Sequence, residues 1–275
     1  MPKASLRPFL GKVKRRLLRA LAAPARRAEE RRENKPTIDV KAVKAALRAQ
    51  LEHAYNEQEG RIPKIIHFCW MGGNEKPDDV KAYIKTWAEY LPEYEVVEWN
   101  ESNFDLHYNR YVKEAYESRK WAFVSDVVRL YALYEYGGIY LDADVEICKP
   151  LDRFLAHKAF SSFQLPLEGM TEPPFIPTGL MASEKGGQWV GELLAAYKER
   201  TFILPDGSLD LLTNPRPITQ HTEETYGLVR NDEFQDLDVV TLYPSEYFCA
   251  KNWKTKALAR TENTYAIHHF AGSWL

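Results

Sequence analysis

The sequence is poor in cysteine and contains no long apolar run. Its three cysteines, Cys69, Cys148 and Cys249, form no CxxC pair among 275 residues. An odd number without that spacing argues against a disulfide framework and a structural zinc site, and is typical of a reducing compartment. No apolar stretch approaches the roughly 18–20 residues that span a bilayer, nor does the N-terminus resemble a signal peptide. We therefore expect a cytoplasmic protein.

Acidic residues outnumber basic ones over most of the chain. Residues 1–35 contain 12 Lys and Arg against 3 Glu, so that segment carries +9 of a total net charge of −2. Residues 36–275 therefore carry −11. A nucleic-acid enzyme usually places its positive charge on the folded body, where it meets the phosphates. The charge distribution predicts no nucleic-acid partner.

The basic residues at the N-terminus alternate with apolar ones. Between residues 6 and 21, five leucines and valines recur every three or four positions, a spacing that predicts an amphipathic basic helix over 1–36. Such a helix can lie on an anionic membrane, here the inner face of the cell membrane, but a solvated tail has the same composition. Both interpretations stay open. A second helix is predicted within 37–60, followed by one folded domain over 61–275.

The folded domain alternates strands and helices. Apolar runs and turn residues predict strands at 62–70, 94–99 and 139–147. Helices are predicted at 77–90 and 120–136, the second ended by two glycines. This order predicts an α/β fold with a doubly wound sheet.

Two aspartates follow the apolar part of the strand at 139–147. Because side chains alternate along a strand, Asp142 and Asp144 are expected on the same side, roughly 6.5–7 Å apart. Two carboxylates at a ligand-binding sheet edge need positive charge between them, and a divalent cation with a diphosphate supplies it. A solvated pair of acids on a loop is the alternative.

The helix before that strand carries charge on an apolar surface. Asp126 and Arg129 are three residues apart and share one face, among valines and leucines that predict burial. Buried charges need partners. A sugar hydroxyl for Asp126 and a phosphate for Arg129 would provide them.

These motifs resemble a known family. The segment WAFVSDVVRLYALYEYGGIYLDADV resembles the DXD signature of glycosyltransferase family 32, which includes capsular-polysaccharide and mannosyl transferases. A similar core occurs in the glucosylating domains of large clostridial toxins. IHFCWMGG and HHFAGSW resemble the family's first strand and closing motif, so the resemblance spans about residues 62–274. It implies a GT-A type fold, a Rossmann-like mixed sheet flanked by helices, here with an N-terminal helical extension.

The resemblance also implies a donor site for a nucleotide sugar such as a UDP- or GDP-hexose. Trp70 would stack on the nucleobase, and Trp274 would touch the β-phosphate. Tyr140 would contact ribose and sugar. The implied catalytic residues, which would also bind the donor, are Asp126, Arg129 and Asp142.

A Mn²⁺ or Mg²⁺ cofactor is implied by the same resemblance, with Asp144 and His269 as ligands. His268 and His269 are adjacent, so they face opposite ways in an extended segment and at most one can reach the metal. The spacing HxxGSW favours His269, although some relatives use a carboxylate there. Glu224 and Tyr226 fall where an acceptor would bind, in a weak motif.

The implied function is a retaining glycosyltransferase that moves a hexose to a saccharide or lipid-linked acceptor in surface polysaccharide synthesis. Two alternatives remain. One is a metal-dependent phosphatase of haloacid-dehalogenase type, although DADVE lacks the threonine of that motif. The other is a membrane-peripheral scaffold whose basic helix recruits partners and whose α/β body is inactive.

Overall fold

The computed structural model describes residues 38–56, 60–165 and 172–272. The predicted basic helix at 1–36 and the predicted phosphate contact Trp274 lie outside these ranges. The described residues from Val40 onward belong to one compact unit. Within the described ranges, no helix is both long and apolar enough to cross a bilayer.

The described part of the chain alternates helices and strands for most of its length. Its helices are α1 (Val40–Gln50), α2 (Glu52–Asn56), α3 (Asp78–Tyr90), α4 (Arg110–Glu117), α5 (Trp121–Tyr136), α6 (Gln188–Ala195), α7 (Pro215–Tyr226) and α8 (Ser245–Phe248), with a 3₁₀ turn at Asp152–Phe154. Its strands are β1 (Ile65–Cys69), β2 (Glu95–Trp99), β3 (Gly138–Leu141), β4 (Val145–Ile147), β5 (Ala159–Ser162), β6 (Leu180–Ser183), β7 (Gln235–Asp236), β8 (Thr241–Tyr243) and β9 (Ala266–His268).

Seven strands form a mixed sheet in the order β2-β1-β3-β6-β5-β8-β7. The β1/β2, β1/β3 and β5/β8 pairs are parallel, and the other three are antiparallel. A separate two-stranded ribbon pairs β4 with β9. The predicted α/β fold of GT-A type, with a mixed sheet flanked by helices, is confirmed.

Helices cover both faces of the sheet near β3. Tyr140 lies in one apolar cluster with the buried residues of α5, whereas its neighbours Ile139 and Leu141 lie in a second cluster with Trp87 of α3. This alternation is what a strand buried on both faces requires. Helix α1, in the described part of the predicted N-terminal extension, joins the first cluster through Leu47. The exact domain limits stay a prediction.

A pair of glycines connects α5 to β3. Gly137 ends the helix at φ 69°, and Gly138 follows at φ 111°, values that other residues rarely adopt. A β-carbon on Gly138 would lie 2.5 Å from the carbonyl oxygen of Ile65. Only glycine lets β3 pair so closely with β1.

Most predicted elements are confirmed to within a few residues, including the helices at 77–90 and 120–136 and the strand at 94–99. The prediction of one strand over 139–147 is wrong. The strand stops at Leu141 and a new one, in the other sheet, begins at Val145. The helix predicted near 38–58 is likewise interrupted between α1 and α2.

Candidate metal and donor site

A turn between β3 and β4 carries both aspartates of the DXD motif. The amide of Val145 donates a hydrogen bond to the carbonyl of Asp142 (2.9 Å), which closes the turn. The two carboxylates therefore converge through a turn, and not through the alternation of a continuous strand. With His268 they form a group, here called the metal group, whose potential ligand atoms lie within 4.8 Å of one another.

His268 reaches this group because of strand pairing. In the β4/β9 ribbon His268 is opposite Val145, directly after the aspartate turn. Its Nε2 lies 3.3 Å from Oδ1 of Asp144 and 3.7 Å from Oδ2 of Asp142. A β-carbon on Gly179 would come within 2.5 Å of the imidazole Nδ1, so the ring occupies space that only a glycine leaves open.

His269 takes a different direction from the one predicted. Its Nε2 donates to Oε2 of Glu146 (2.8 Å), its Nδ1 accepts from Lys251 (3.1 Å), and its ring stacks on Tyr83 at 4.1 Å. Only its backbone amide touches the motif, donating to the carbonyl of Asp144 (3.0 Å). The expectation that just one of the two histidines faces the carboxylates fits the structure, which brings His268 there instead of His269. The choice depends on the β4/β9 register, and the sequence did not reveal that register.

The metal group is buried and incompletely hydrogen-bonded. Asp144 is 1% exposed and His268 6% exposed. Burial works to lower the pKa of His268, but the charge of Asp144 outweighs it and raises that pKa to about 10. The pKa of Asp144 is lowered: burial opposes this, and the charge of His268 prevails. Nε2 of His268 and Oδ1 of Asp144 face each other as an ion pair without hydrogen-bond geometry, and Nδ1 of His268 has no hydrogen-bond partner among the described residues.

Oδ1 of Asp144 and Nε2 of His268 fit a divalent cation. Buried polar atoms without hydrogen-bond partners are costly, and a cation held by the two carboxylates and by Nε2 of a neutral imidazole would satisfy these two atoms together. Carboxylates suit Mg²⁺ and Mn²⁺, and imidazole nitrogen adds affinity for transition metals. The donor set therefore agrees with the divalent metal that DXD glycosyltransferases generally use.

Arg129 links helix α5 to the metal group. Its guanidinium lies 3.2 Å from Oδ1 of Asp126 and 3.2 Å from Oδ1 of Asp142, and donates to the carbonyl of Thr178. It also lies over the ring of Tyr140, 4.6 Å from the centroid. Burial raises the pKa of Asp126 to about 6, although Arg129 opposes that rise. The structure thus unites the predicted residues of α5, β3 and the aspartate turn in one buried network.

A cavity of about 240 Å³ opens beside this network, lined by Trp70, Trp121, Ser125, Tyr140 and Asp142 among others. The indole of Trp70 is held by a hydrogen bond from its Nε1 to the carbonyl of Asn74 (2.7 Å). Trp121, at the start of α5, was not singled out in the sequence, which gives no sign that it faces this cavity and not the core. The predicted stacking residue Trp70 and the predicted ribose contact Tyr140 thus share one cavity with Asp142 of the metal group.

Glu224 and Tyr226, the residues predicted to bind the acceptor, lie on α7, away from the metal group. Tyr226 donates to Glu192 of α6 at 2.5 Å, and His221 contacts the same carboxylate at 2.9 Å. These bonds fasten α7 to α6. They give Tyr226 a structural partner and leave its predicted acceptor role, like that of Glu224, a prediction.

Comparison with known proteins identifies the class of this region. Residues 77–161 match the family model of the glycosyltransferase sugar-binding region containing DXD motif. This stretch includes Asp126, Arg129, Tyr140, Asp142 and Asp144. The chain therefore carries a DXD-containing glycosyltransferase region, and the resemblance predicted from its motifs is confirmed.

Two curated proteins are similar over part of the chain. Inositol phosphoceramide mannosyltransferase 3 of Schizosaccharomyces pombe is 32% identical over 140 residues, which cover 48% of this chain and 36% of that protein. Subversion of eukaryotic traffic protein A of Legionella pneumophila is 28% identical over 120 residues, 34% of this chain and 18% of that protein. The chain thus spans about a third or less of the length of either relative.

Solved structures of glycosyltransferases are similar at a lower level. The PaToxG glycosyltransferase matches with a TM-score of 0.44 and 17% identity, covering 67% of this chain and 78% of that one. A glycosyltransferase involved in glycosylation of the major capsid of PBCV-1 matches with a TM-score of 0.41 and 14% identity, covering 76% and 95%.

Proposed function

We propose that this protein is a metal-dependent retaining glycosyltransferase that moves a hexose from a nucleoside-diphosphate sugar to a saccharide or lipid-linked acceptor. The observation that carries the proposal is the buried group of Asp142, Asp144 and His268, joined through Arg129 to Asp126 of α5 and open through Asp142 to a cavity with Trp70. A diphosphate and a divalent cation are the ligands that such a group fits best.

In this proposal the cavity receives the donor. Trp70 stacks on the base, and Tyr140 contacts the ribose. Asp126 accepts hydrogen bonds from sugar hydroxyls. Asp142, Asp144 and His268 would hold Mn²⁺ or Mg²⁺, which when bound stabilises the charge that grows on the departing diphosphate. The contact of Trp274 with the β-phosphate also belongs to the proposal. His269 is kept as the alternative metal ligand to His268.

Arg129 has two parts in the mechanism. Its fixed positive charge offsets Asp126 and Asp142 before the donor binds, and it attracts diphosphate oxygens afterwards. The acceptor hydroxyl attacks the anomeric carbon as the bond to the nucleoside diphosphate breaks, and an oxygen of the departing diphosphate takes up the hydroxyl proton. Retention of configuration rests on the family resemblance alone, and proton NMR of the anomeric centre in the first product would test it.

The acceptor and the place of action belong to the proposal as well. The Schizosaccharomyces pombe relative is named a mannosyltransferase of inositol phosphoceramide, which supports a hexose donor and a lipid-linked acceptor. Synthesis of a surface or capsular polysaccharide is proposed from the family resemblance. We place the reaction in the cytoplasm or at the inner face of the cell membrane.

A phosphatase is the second candidate, because two aspartates near a metal also suit phosphate-ester hydrolysis. Asp142 is already engaged by Arg129 at 3.2 Å, whereas a nucleophilic carboxylate must be free to attack phosphorus. Hydrolysis of phosphate esters without any nucleotide sugar would favour this candidate.

The deciding experiment is a screen of UDP- and GDP-hexoses for metal-dependent binding by calorimetry, with wild type and Asp144→Asn. The variant should lose metal-dependent nucleotide binding and turnover while it stays folded, because the neutral amide is a weaker ligand. Asp238→Asn is the matched control: Asp238 has an 85% exposed side chain and a positive φ of 64° that asparagine tolerates. Full activity of Asp144→Asn, or full wild-type activity in excess EDTA, would refute the metal role.

A further inference from the structure

A second cavity lies beside the metal group and is not used by the proposed donor. It encloses about 410 Å³ and is lined by side chains that include Phe175, Trp253, Phe270, Arg216 and Glu172, here called the aromatic groove. That volume falls within the roughly 300–1,000 Å³ typical of small-molecule sites. Trp253 is 45% exposed, which is unusual for so large a ring.

The aromatic groove reaches the metal group through one ring. Phe270 stacks on the imidazole of His268, with ring centroids 4.0 Å apart. The first cavity meets the same group through Asp142. The metal group therefore contacts both cavities through different residues, which is the arrangement that two substrates reacting at one centre require.

The backbone at Phe270 is held in a costly conformation. Its φ is 53°, in the left-handed region that residues with a side chain rarely adopt. Lys256 fixes the segment by donating to the carbonyl of Phe270 at 2.7 Å. Such strain is often kept where a side chain must point at a ligand.

Two charged residues that line the groove form a neutral pair. Arg216 and Glu172 are 3.0 Å apart, with 58% and 37% of their side chains exposed. Since the two charges cancel, the pair is better suited to hydroxyl groups than to a phosphate. A carboxylate and a guanidinium together offer both acceptors and donors to neighbouring hydroxyls.

We infer that the aromatic groove is the acceptor subsite and that it binds a neutral pyranose ring. The apolar face of the sugar would pack on Trp253 and Phe270, and its hydroxyls would bond to Arg216 and Glu172. This inference rests on the proposed glycosyl transfer and names the substrate class that the metal group would glycosylate.

Saturation-transfer NMR tests the groove with three probes, methyl α-mannopyranoside, methyl α-glucopyranoside and methyl β-galactopyranoside. Wild type should transfer saturation to at least one of them, and Trp253→Ala should bind it roughly 5- to 10-fold more weakly, about what one aromatic contact contributes. Trp253→Phe should recover much of the binding. Phe234→Ala, which removes another exposed ring (54%), is the matched control and should behave as wild type.

Two outcomes would overturn the inference. One is no transfer to any probe with wild type, or equal transfer with Trp253→Ala. The other is loss of anionic-vesicle binding in Trp253→Ala without any glycoside signal, which would make the groove a lipid site. Metal-dependent nucleotide binding, measured by calorimetry on the same samples, separates the two proposals. If wild type shows no metal-dependent nucleotide binding, the proposed glycosyl transfer is contradicted. If Trp253→Ala keeps nucleotide binding and its glycoside signals equal those of wild type, only the acceptor role of the groove is contradicted.

Discussion

Arg129 neutralises two buried acids at once. Asp126, Arg129 and Asp142 are 5%, 4% and 8% exposed, and both carboxylates lie 3.2 Å from the guanidinium. Removing one member of a buried pair leaves a charge without compensation, which usually costs about 3–5 kcal/mol. Arg129→Met should therefore lower the free energy of unfolding by about that amount in urea titration.

The control for this prediction is an exposed ion pair. Lys158 and Asp238 are 3.0 Å apart, but their side chains are 36% and 85% exposed. Lys158→Met should change stability by less than about 1 kcal/mol. If Arg129→Met changes the free energy of unfolding as little as Lys158→Met does, the Arg129 network makes no net contribution to stability.

The two adjacent histidines make a matched test of the metal group. His268 faces Asp144 at 3.3 Å, whereas His269 is bonded to Glu146 at 2.8 Å. His268→Ala should abolish Mn²⁺-dependent nucleotide binding in calorimetry, because one ligand is lost outright. His269→Ala should weaken it only modestly, through the support that His269 gives the turn. The reverse result would restore the choice made from the sequence motif.

His67 makes the fold sensitive to acid. It is fully buried, accepts a hydrogen bond from Trp99 (3.2 Å) and donates one to the carbonyl of Gly137 (2.8 Å), so it is neutral. Burial lowers its pKa from 6.5 to about 4. Between pH 6.5 and pH 4 the unfolded chain takes up a proton that the folded chain does not. The free energy of unfolding therefore decreases as the pH is lowered through this range, by up to about 3 kcal/mol.

Urea unfolding at about pH 7 and about pH 4.5 measures this loss. His67→Gln should be less stable at neutral pH but lose less on acidification, because its side chain does not titrate. Exposed His107→Gln should keep the wild-type profile. If His67→Gln loses as much stability as wild type on acidification, His67 is not the cause.

At the scale of elements, periodicity predicted the helices α3 and α5 well, because their patterns are long and their ends are marked. Short segments were harder. The run from Ile139 to Ile147 has the pattern of one strand, but a turn at the two aspartates and the separate pairing of β4 with β9 divide it. The same long-range pairing decided which histidine faces the aspartates. Asp126, Arg129, Asp142 and Asp144 were predictable together because they are close in sequence.

The approach of β9 to the loop before β6 depends on Gly179. A methyl group there would lie 2.5 Å from Nδ1 of His268 and 2.7 Å from its Cε1, so the ring would have to move. Gly179→Ala should therefore weaken metal-dependent nucleotide binding, and the loss in binding free energy should be at least as large as the loss in the free energy of unfolding. Gly207→Ala places its methyl group in open space and strains only a turn at φ 84°, so it should spare binding. Unchanged binding in Gly179→Ala would mean that the ring position is not critical.

At the scale of the whole molecule, charge is divided between the first 35 residues and the rest. The basic segment carries +9 and lies outside the described residues, so its membrane role stays a prediction. Near an anionic surface each Lys or Arg contributes about 1 kcal/mol. Deleting residues 1–35 should release the protein from phosphatidylserine vesicles in co-sedimentation, with neutral vesicles as control. Sedimentation that the deletion or added salt leaves unchanged would contradict this.

The β4/β9 ribbon has a consequence for how the protein is made. It pairs Val145 with His268, so the metal group joins positions more than 120 residues apart. Contacts that distant are slow to form, because a long loop must close first. During synthesis the two aspartates emerge well before their histidine partner, and the nascent chain has no complete metal group until residue 268 has left the ribosome. A cation that binds afterwards would hold the two ends of this loop together. At a free cation concentration a hundred times its dissociation constant, this binding would add about 2.7 kcal/mol to the free energy of unfolding.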